Sequence, residues 1–283
     1  MRYRFLRFPG GKLKAVTFSY DDGVRQDLRL IEILKRHGIK CSFNINSGMF
    51  NSPRRLSAEE VKKYIYDEGY EITVHGDRHV ASAAVTPIDC IKDALNCRLE
   101  LEELFGTIIR GMVYPDSGIR NRDNGNSYAT VRKCMVDLGF AYARTARGDN
   151  DSFRLPDDFY AWEPTAHHNY PQVFDWIDKF NSISDGGNVA MDYPRLFYLW
   201  GHSYEFDNDN NWDRIEKICD LLGDRDDVWY ATNIEIYDYV NAYRSLVISA
   251  DGRRVYNPTR INIWFSTDGE IREIAPGETV ICC

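Results

Sequence analysis

KAVTFSYDDGVRQDLRLIEILKR, residues 14–36, decides how the rest of the chain is read. Residues 15–20 (AVTFSY) are a short apolar run rich in strand formers, and 27–36 (DLRLIEILKR) repeat Leu and Ile at helical spacing until His37-Gly38 stops them. One strand is followed by one helix, and the unit recurs. Residues 40–46 (KCSFNIN) read as a strand, 57–69 (SAEEVKKYIYDEG) as a helix opened by a Ser57–Glu60 capping box, and 70–74 (YEITV) as the next strand. After Thr86-Pro87, residues 88–106 form a strongly periodic helix ended by Gly106, and 107–115 (TIIRGMVYP) follow as strand and turn. The pattern continues through 127–138, 140–144, the apolar strand 196–200 (LFYLW), the helix 211–223, VWYAT at 228–232 and the helix from Asn233. Alternation of this kind implies a parallel sheet covered by helices, and roughly seven strands favour a barrel over an open sheet.

Two regions break the rhythm. From Arg147 to Tyr193 the chain is rich in Asp, Asn, Pro and aromatics, which predicts long loops around one or two short elements. From Leu246 onward, apolar and polar residues alternate around the turn pairs Asp251-Gly252 and Asp268-Gly269. The expected organisation is an α/β barrel over 1–245 and a small β appendage over 246–283 packed on it.

Composition narrows the function classes. The chain has 283 residues, of which 43% are hydrophobic, 13% aromatic and 28% charged, enough for a sizeable core and without a signature of disorder. Thirty-five Lys and Arg stand against 43 Asp and Glu, a net charge of −8, with the Arg residues scattered rather than striped. No nucleic acid partner is expected from such a surface. No stretch approaches the roughly 18 apolar residues of a membrane span, and the N-terminus shows no apolar signal core, so a cytoplasmic protein without a membrane partner is expected. Seven cysteines lack any CxxC or framework spacing, which suits free thiols.

Three constellations carry chemistry. In TFSYDDG (17–23), Asp21 and Asp22 emerge at the carboxyl end of a strand, where catalytic groups of parallel α/β folds gather. Adjacent residues on extended chain face opposite ways, so a shared task needs a turn there, and Gly23 supplies the freedom for one; the plainer alternative is that one Asp caps the following helix. In HGDRH (75–79), two of the six histidines lie four residues apart, which on a helical turn puts both imidazoles on one face, close enough to grip one metal ion. Imidazole suits zinc and its first-row neighbours, and a third carboxylate ligand leaves positions open for water and substrate, as in catalytic sites. In GHSYE (201–205), His202 stands just beyond another strand end, where its ordinary pKa of about 6.5 suits a general acid. Each motif alone has an ordinary structural explanation. Three of them at three strand ends of one alternating chain make coincidence a poor one.

From about Lys14 to about Tyr239, these residues resemble the polysaccharide deacetylase superfamily, the NodB-homology or carbohydrate esterase family 4 group. TFSYDDG, HGDRH and LWGHS match that family's motifs in order. The resemblance implies a distorted (β/α)7 TIM-like barrel. It implies Asp21 as general base, Asp22, His75 and His79 as ligands of one divalent metal, zinc first with cobalt, nickel or manganese as alternatives, and His202 as the acid that protonates the leaving amine. The turn Tyr114-Pro115-Asp116 falls at the family motif whose backbone amide helps hold the carbonyl oxygen, with Asp116 the matching donor. The sequence departs from the family pattern at Tyr20, which precedes the Asp pair, and at YPDSG. Arg110 lies far upstream of where an arginine orienting the base is expected, and Arg144 with Asp149 reads equally as a buried ion pair or as the family's fourth motif. The implied reaction is metal-dependent hydrolysis of an N-acyl amide, de-N-acetylation of an N-acetylated amino sugar or oligosaccharide. The alternatives are an amidohydrolase of a small non-sugar amide and a catalytically silent carbohydrate binder that uses its aromatics and the β appendage.

Overall fold

A computed structural model describes residues 3–50, 52–116, 118–119, 125–146, 150–186 and 189–282. The strands are β1 (Arg4–Arg7), β2 (Lys14–Asp21), β3 (Cys41–Ile45), β4 (Glu71–Val74), β5 (Gly111–Val113), β6 (Tyr142–Arg144), β7 (Ala166–His167), β8 (Arg195–Gly201), β9 (Val228–Tyr230), β10 (Val247–Ile248), β11 (Arg254–Tyr256), β12 (Ile263–Thr267), β13 (Glu270–Ile274) and β14 (Thr279–Ile281). The helices are α1 (Asp27–Arg36), α2 (Ala58–Val61), α3 (Pro87–Phe105), α4 (Tyr128–Asp137), α5 (Val173–Asn181), α6 (Tyr204–Asn208), α7 (Trp212–Leu222) and α8 (Asn233–Arg244).

The main sheet is parallel, in the order β6-β5-β4-β3-β2-β8-β7, with β9 beside β2. It is the curled sheet of a distorted (β/α)7 barrel. Every residue of β2, β3 and β8 is buried, as a parallel sheet covered on both faces requires. The curl is completed by the segment entering β7. Trp162 exchanges backbone hydrogen bonds with Ala143 and Thr145 along the free edge of β6, and Thr165 then donates to Tyr198 of β8. Trp162 is itself buried, against Tyr142, Phe159 and Tyr198.

The helix signals act where the sequence places them. Ser57 with Glu60 and Thr232 with Glu235 form complete capping boxes, and α3 runs from its Thr86 cap and Pro87 to a left-handed Gly106. The predicted helix over 57–69 is shorter than its pattern: α2 lasts one turn and passes into a π turn over Lys62–Tyr66. Among the described residues of 147–193 the short elements are β7, α5 and two 3-10 turns, Phe159–Ala161 and Val189–Met191. Among the described residues, no helix is long and apolar enough to cross a membrane.

The C-terminal β segment draws on both ends of the chain. β1 pairs antiparallel with β12, giving the sheet β1-β12-β13, and β10-β11-β14 form a second sheet. Val255, Ile263, Phe265, Ile274 and Cys282 are their shared core, which packs on Ala242, Tyr243 and Leu246 at the end of α8. The Tyr239 hydroxyl ties the pieces together, donating to the Arg7 carbonyl and accepting from the Trp264 amide. This contact lies next to the turn that precedes β2, at the opposite end of that strand from Asp21.

Candidate metal and catalytic centre

Asp21 is the last residue of β2, and both edges of β2 are occupied, by β3 and β8. The following amide, Asp22 N–H, still donates to Asn44 of β3 at 2.8 Å, and only then does the chain turn. The turn is made by Asp22 itself, at φ 89°, together with Gly23 at φ 61°. A positive φ is costly for a residue with a Cβ and collects at functional sites. Here it brings two consecutive carboxylates to one cavity, and a Cβ on Gly23 would stand 2.9 Å from Ile45 Cδ1.

His75 and His79 reach the same cavity by a different route from the one their spacing suggests. Residues 75–79 are not a helical turn: Gly76 at φ 77° and His79 at φ 58° fold a loop back on itself. A Cβ on Gly76 would fall 2.2 Å from Asp93 Oδ2, so only glycine passes there. The rings stand edge to face with centroids 4.8 Å apart. His75 Nδ1 lies 2.9 Å from the Val113 carbonyl and donates to it, which leaves the lone pair of Nε2 facing inward. Burial lowers the His75 pKa to about 4 against the pull of Asp21 and Asp22, so the ring is neutral at pH 7, the form that binds metal.

Asp22 Oδ1 is 3.9 Å from His75 Nε2 and 3.7 Å from His79 Nε2. Asp22 Oδ1 and His75 Nε2 are both buried without a hydrogen-bond partner in the structure. Two orphaned polar atoms that converge with a third donor are costly in a bare protein and are what a divalent ion satisfies. The residues therefore fit a metal. Arg55 steadies the carboxylate, donating through Nη1 to the Asp22 main-chain carbonyl and lying 3.2 Å from Oδ1.

Asp21 Oδ2 also lies 3.9 Å from His75 Nε2, as near as Asp22 Oδ1, but both oxygens of Asp21 are engaged by other partners. Arg144 Nη2 contacts both of its oxygens at 2.6 Å, and Asn44 Nδ2 donates to Oδ1 at 2.6 Å. Arg144, on β6, is fully buried. Burial raises the Asp21 pKa, but Arg144, His75, His202 and the Asn44 amide outweigh it and hold the carboxyl at about 2. Arg144 is thus the arginine that contacts Asp21; Asp149, read together with it in the sequence, lies outside the described residues. Arg110 pairs with Asp238 at 2.8 Å and takes no part in the cavity.

His202 Nε2 is 3.8 Å from Asp21 Oδ2, and its Nδ1 is 3.4 Å from Glu205 Oε1. Burial lowers its pKa, yet Glu205 and Asp21 carry it above the ordinary value. Glu205, one turn on in α6, was not singled out in the sequence, although its i,i+3 spacing from His202 was a readable signal.

A cavity of about 220 Å³ is lined by Asp21, Asp22, His75, His79, Tyr114, Asp116, Ala146, Trp200, His202 and Tyr204. Asp116 is left-handed, at φ 53°, on the rim, and Pro115 packs under Gly76. The Tyr114 hydroxyl does not face the cavity, because it donates to the Tyr160 carbonyl at 3.0 Å. Trp200 and Tyr204 line the cavity, whereas Trp212 packs against Phe206, and Trp229 against Phe8 and Tyr239. A wider groove of about 650 Å³ adjoins through Asp22 and Tyr204 and is walled by Met49, Arg54 and Arg55 among others.

Residues 5–142 match the family described as polysaccharide deacetylase. No curated protein matches the chain in sequence. Among solved structures, a probable polysaccharide deacetylase from Pseudomonas aeruginosa PAO1 superposes with a TM-score of 0.60 at 16% identity, over 84% of this chain and 93% of that one. Puue allantoinase superposes with a TM-score of 0.58 at 14% identity, over 82% of this chain and 91% of that one. At such identities the likeness is one of fold.

Proposed function

From the match of residues 5–142 to the polysaccharide deacetylase family, we propose that the chain is a member of that superfamily and a metal-dependent hydrolase of an N-acyl amide that removes N-acetyl groups from an amino sugar or oligosaccharide. One observation carries the proposal: a single backbone turn sends Asp22 to His75 and His79, with Asp22 Oδ1 and His75 Nε2 orphaned, and leaves Asp21, one residue away, locked to Arg144 in the same cavity. Two neighbouring carboxylates thereby receive two tasks.

Asp22, His75 and His79 would hold one divalent ion, zinc by the chemistry of the donor set. The ion would acidify water and polarise the amide carbonyl. Asp21 is ionised at every working pH and accepts the proton of the attacking water. With its pKa at about 2 it is a weak base, so its contribution lies in position, which Arg144 and Asn44 secure. His202, whose Nδ1 lies 3.4 Å from Glu205 Oε1, presents Nε2 across the cavity from Asp21 and in its protonated form gives its proton to the departing nitrogen. The backbone at Asp116 supplies an amide for the oxyanion. The adjoining groove supports a substrate larger than a small amide, since the cavity of about 220 Å³ alone is too small for a chain of sugars. The described cysteines are all buried and unpaired, which agrees with a reducing, cytoplasmic compartment.

The test is a panel of N-acetylglucosamine, chitooligosaccharides and small linear and cyclic amides, assayed with zinc-loaded and chelator-treated protein. Release of acetate and a free amine from the sugars by the zinc form alone supports the proposal. Turnover confined to small amides would replace the substrate class, and sugar binding without amine release would make the chain a silent binder.

A further inference from the structure

We propose that His167, His168 and Glu205 form a second divalent-cation site, separate from the Asp22–His75–His79 set and joined to His202 through the other oxygen of Glu205. His167 ends β7, His168 follows it, and Glu205 lies in the first turn of α6. His167 Nε2 is 3.1 Å and His168 Nε2 2.9 Å from the same atom, Glu205 Oε2. All three donor atoms lie within 4.8 Å of one another.

Short as these distances are, the atoms are not aligned as hydrogen bonds. Glu205 Oε2 and His168 Nε2 are both buried without a hydrogen-bond partner, and His168 is wholly inaccessible. Atoms that converge on a common point without bonding one another are arranged as ligands are. Two imidazoles and a carboxylate suit zinc or a first-row neighbour. His167 and Glu205 are partly exposed, with side-chain exposures of 12% and 24%, which gives an ion a route in and room for water.

The surroundings are shaped to the His168 ring. It sits between Tyr20, with centroids 5.7 Å apart, and Phe206, 4.2 Å apart, over Gly201, where a Cβ would fall 2.0 Å from Nδ1. The Tyr20 hydroxyl is 3.3 Å from His168 Nδ1. A phenol both donates and accepts, so Tyr20 serves the ring whether Nδ1 is bare or protonated, and coordination through Nε2 needs the second form. Tyr20, the residue that departs from the family's Asp-pair motif, thereby acquires a task. His167 is the weaker ligand, because its Nδ1 accepts from the Asn169 amide at 3.2 Å and coordination through Nε2 would move the ring proton onto Nδ1.

The experiment is zinc alone, titrated into metal-free full-length protein, with bound metal counted after equilibrium dialysis and cobalt absorption as a second readout. Wild type should bind two equivalents, the second more weakly. His167→Gln, at a partly exposed position, and His79→Ala should each bind one, and the double variant none. Tyr20→Phe should weaken only the second equivalent, by about tenfold, as loss of an outer partner of a ligand does. Thermal melts of the metal-free variants check that each is folded, and Glu205→Gln repeats the test if His167→Gln is not. One equivalent in wild type, abolished by His79→Ala, would overturn this proposal and leave the catalytic metal standing; so would two equivalents in folded His167→Gln. Loss of one equivalent in His167→Gln with none lost in His79→Ala would keep this site and remove the other.

Discussion

Replacing Arg144 with Met tests the part of the centre that rests most on tertiary structure. The guanidinium is fully buried and contacts both oxygens of Asp21, whose side chain is 4% exposed. Met fills much of the same volume and removes the charge, so Asp21 is left ionised and buried with, among the described residues, only Asn44 as a direct side-chain hydrogen-bond donor. Breaking a buried pair from one side costs about 3–5 kcal/mol. An unfolding entropy of about 2.1 cal/mol/K per residue over 283 residues is about 0.6 kcal/mol/K, so the melting temperature should fall by about 5–8 °C. Asp21→Asn alone leaves Arg144 unpaired and also destabilises. The double variant Asp21→Asn/Arg144→Met removes both charges and should be more stable than the sum of the single losses predicts, by about 2 kcal/mol or more. Calorimetry of the four metal-free proteins at pH 7 closes the cycle. Additive losses, or a cost for Arg144→Met below about 1 kcal/mol, would refute the pairing as the device that holds Asp21. Turnover of zinc-loaded Arg144→Met should fall at least about 10²-fold, the usual cost of misplacing a reacting group by an ångström.

The other tests are shorter. Asp21→Asn should abolish turnover and keep zinc, whereas His75→Ala should lose both; dialysis and amine release together separate them, and turnover in pure Asp21→Asn would sink the assignment of the base. Glu205→Gln should lower kcat more than KM and shift the alkaline limb of the kcat profile to lower pH, because the carboxylate helps raise the His202 pKa; an unmoved profile would deny Glu205 that role. Asp27 is fully buried, and burial pushes its carboxyl up to about 7 despite a hydrogen bond from Ser203. The folded state then holds a proton that the unfolded chain releases near pH 4, so stability should decline as pH rises from about 4 to about 7, by about 4 kcal/mol at most, and level off above. Asp27→Asn should flatten that decline in urea titrations; an unchanged slope would mean that Asp27 is not the group responsible.

Much of this architecture is legible in one dimension because its causes are local. Alternation of strand and helix, capping boxes at Ser57 and Thr232, and Pro87 with Gly106 around α3 act over three or four residues and need no partner from elsewhere. Long-range pairing is different in kind. Nothing near Arg4–Arg7 announces that it pairs with Ile263–Thr267, because the hydrogen bonds of an antiparallel edge carry no address in the sequence. Asn44 could have been suspected from a polar residue inside the buried strand 40–46, yet its task depends on the register that sets it opposite Asp21.

The sequence by itself determined the class of fold and offered the candidate side chains of the centre. Strand ends in a parallel sheet must carry the exposed functional groups, and Asp21, Asp22, His75, His79 and His202 stand at three of them. Only the tertiary structure decided how those side chains combine. Spacing suggested a helical turn for His75 and His79, but the loop folds through Gly76 because Asp93, seventeen residues on, leaves no room for a Cβ. Arg144 reaches Asp21 across 123 residues of chain, and Glu205 meets His167 and His168 across the end of the barrel. Desolvation is the physical reason: buried charge must find a partner wherever the fold brings one within reach, and that distance is set by packing, not by sequence separation.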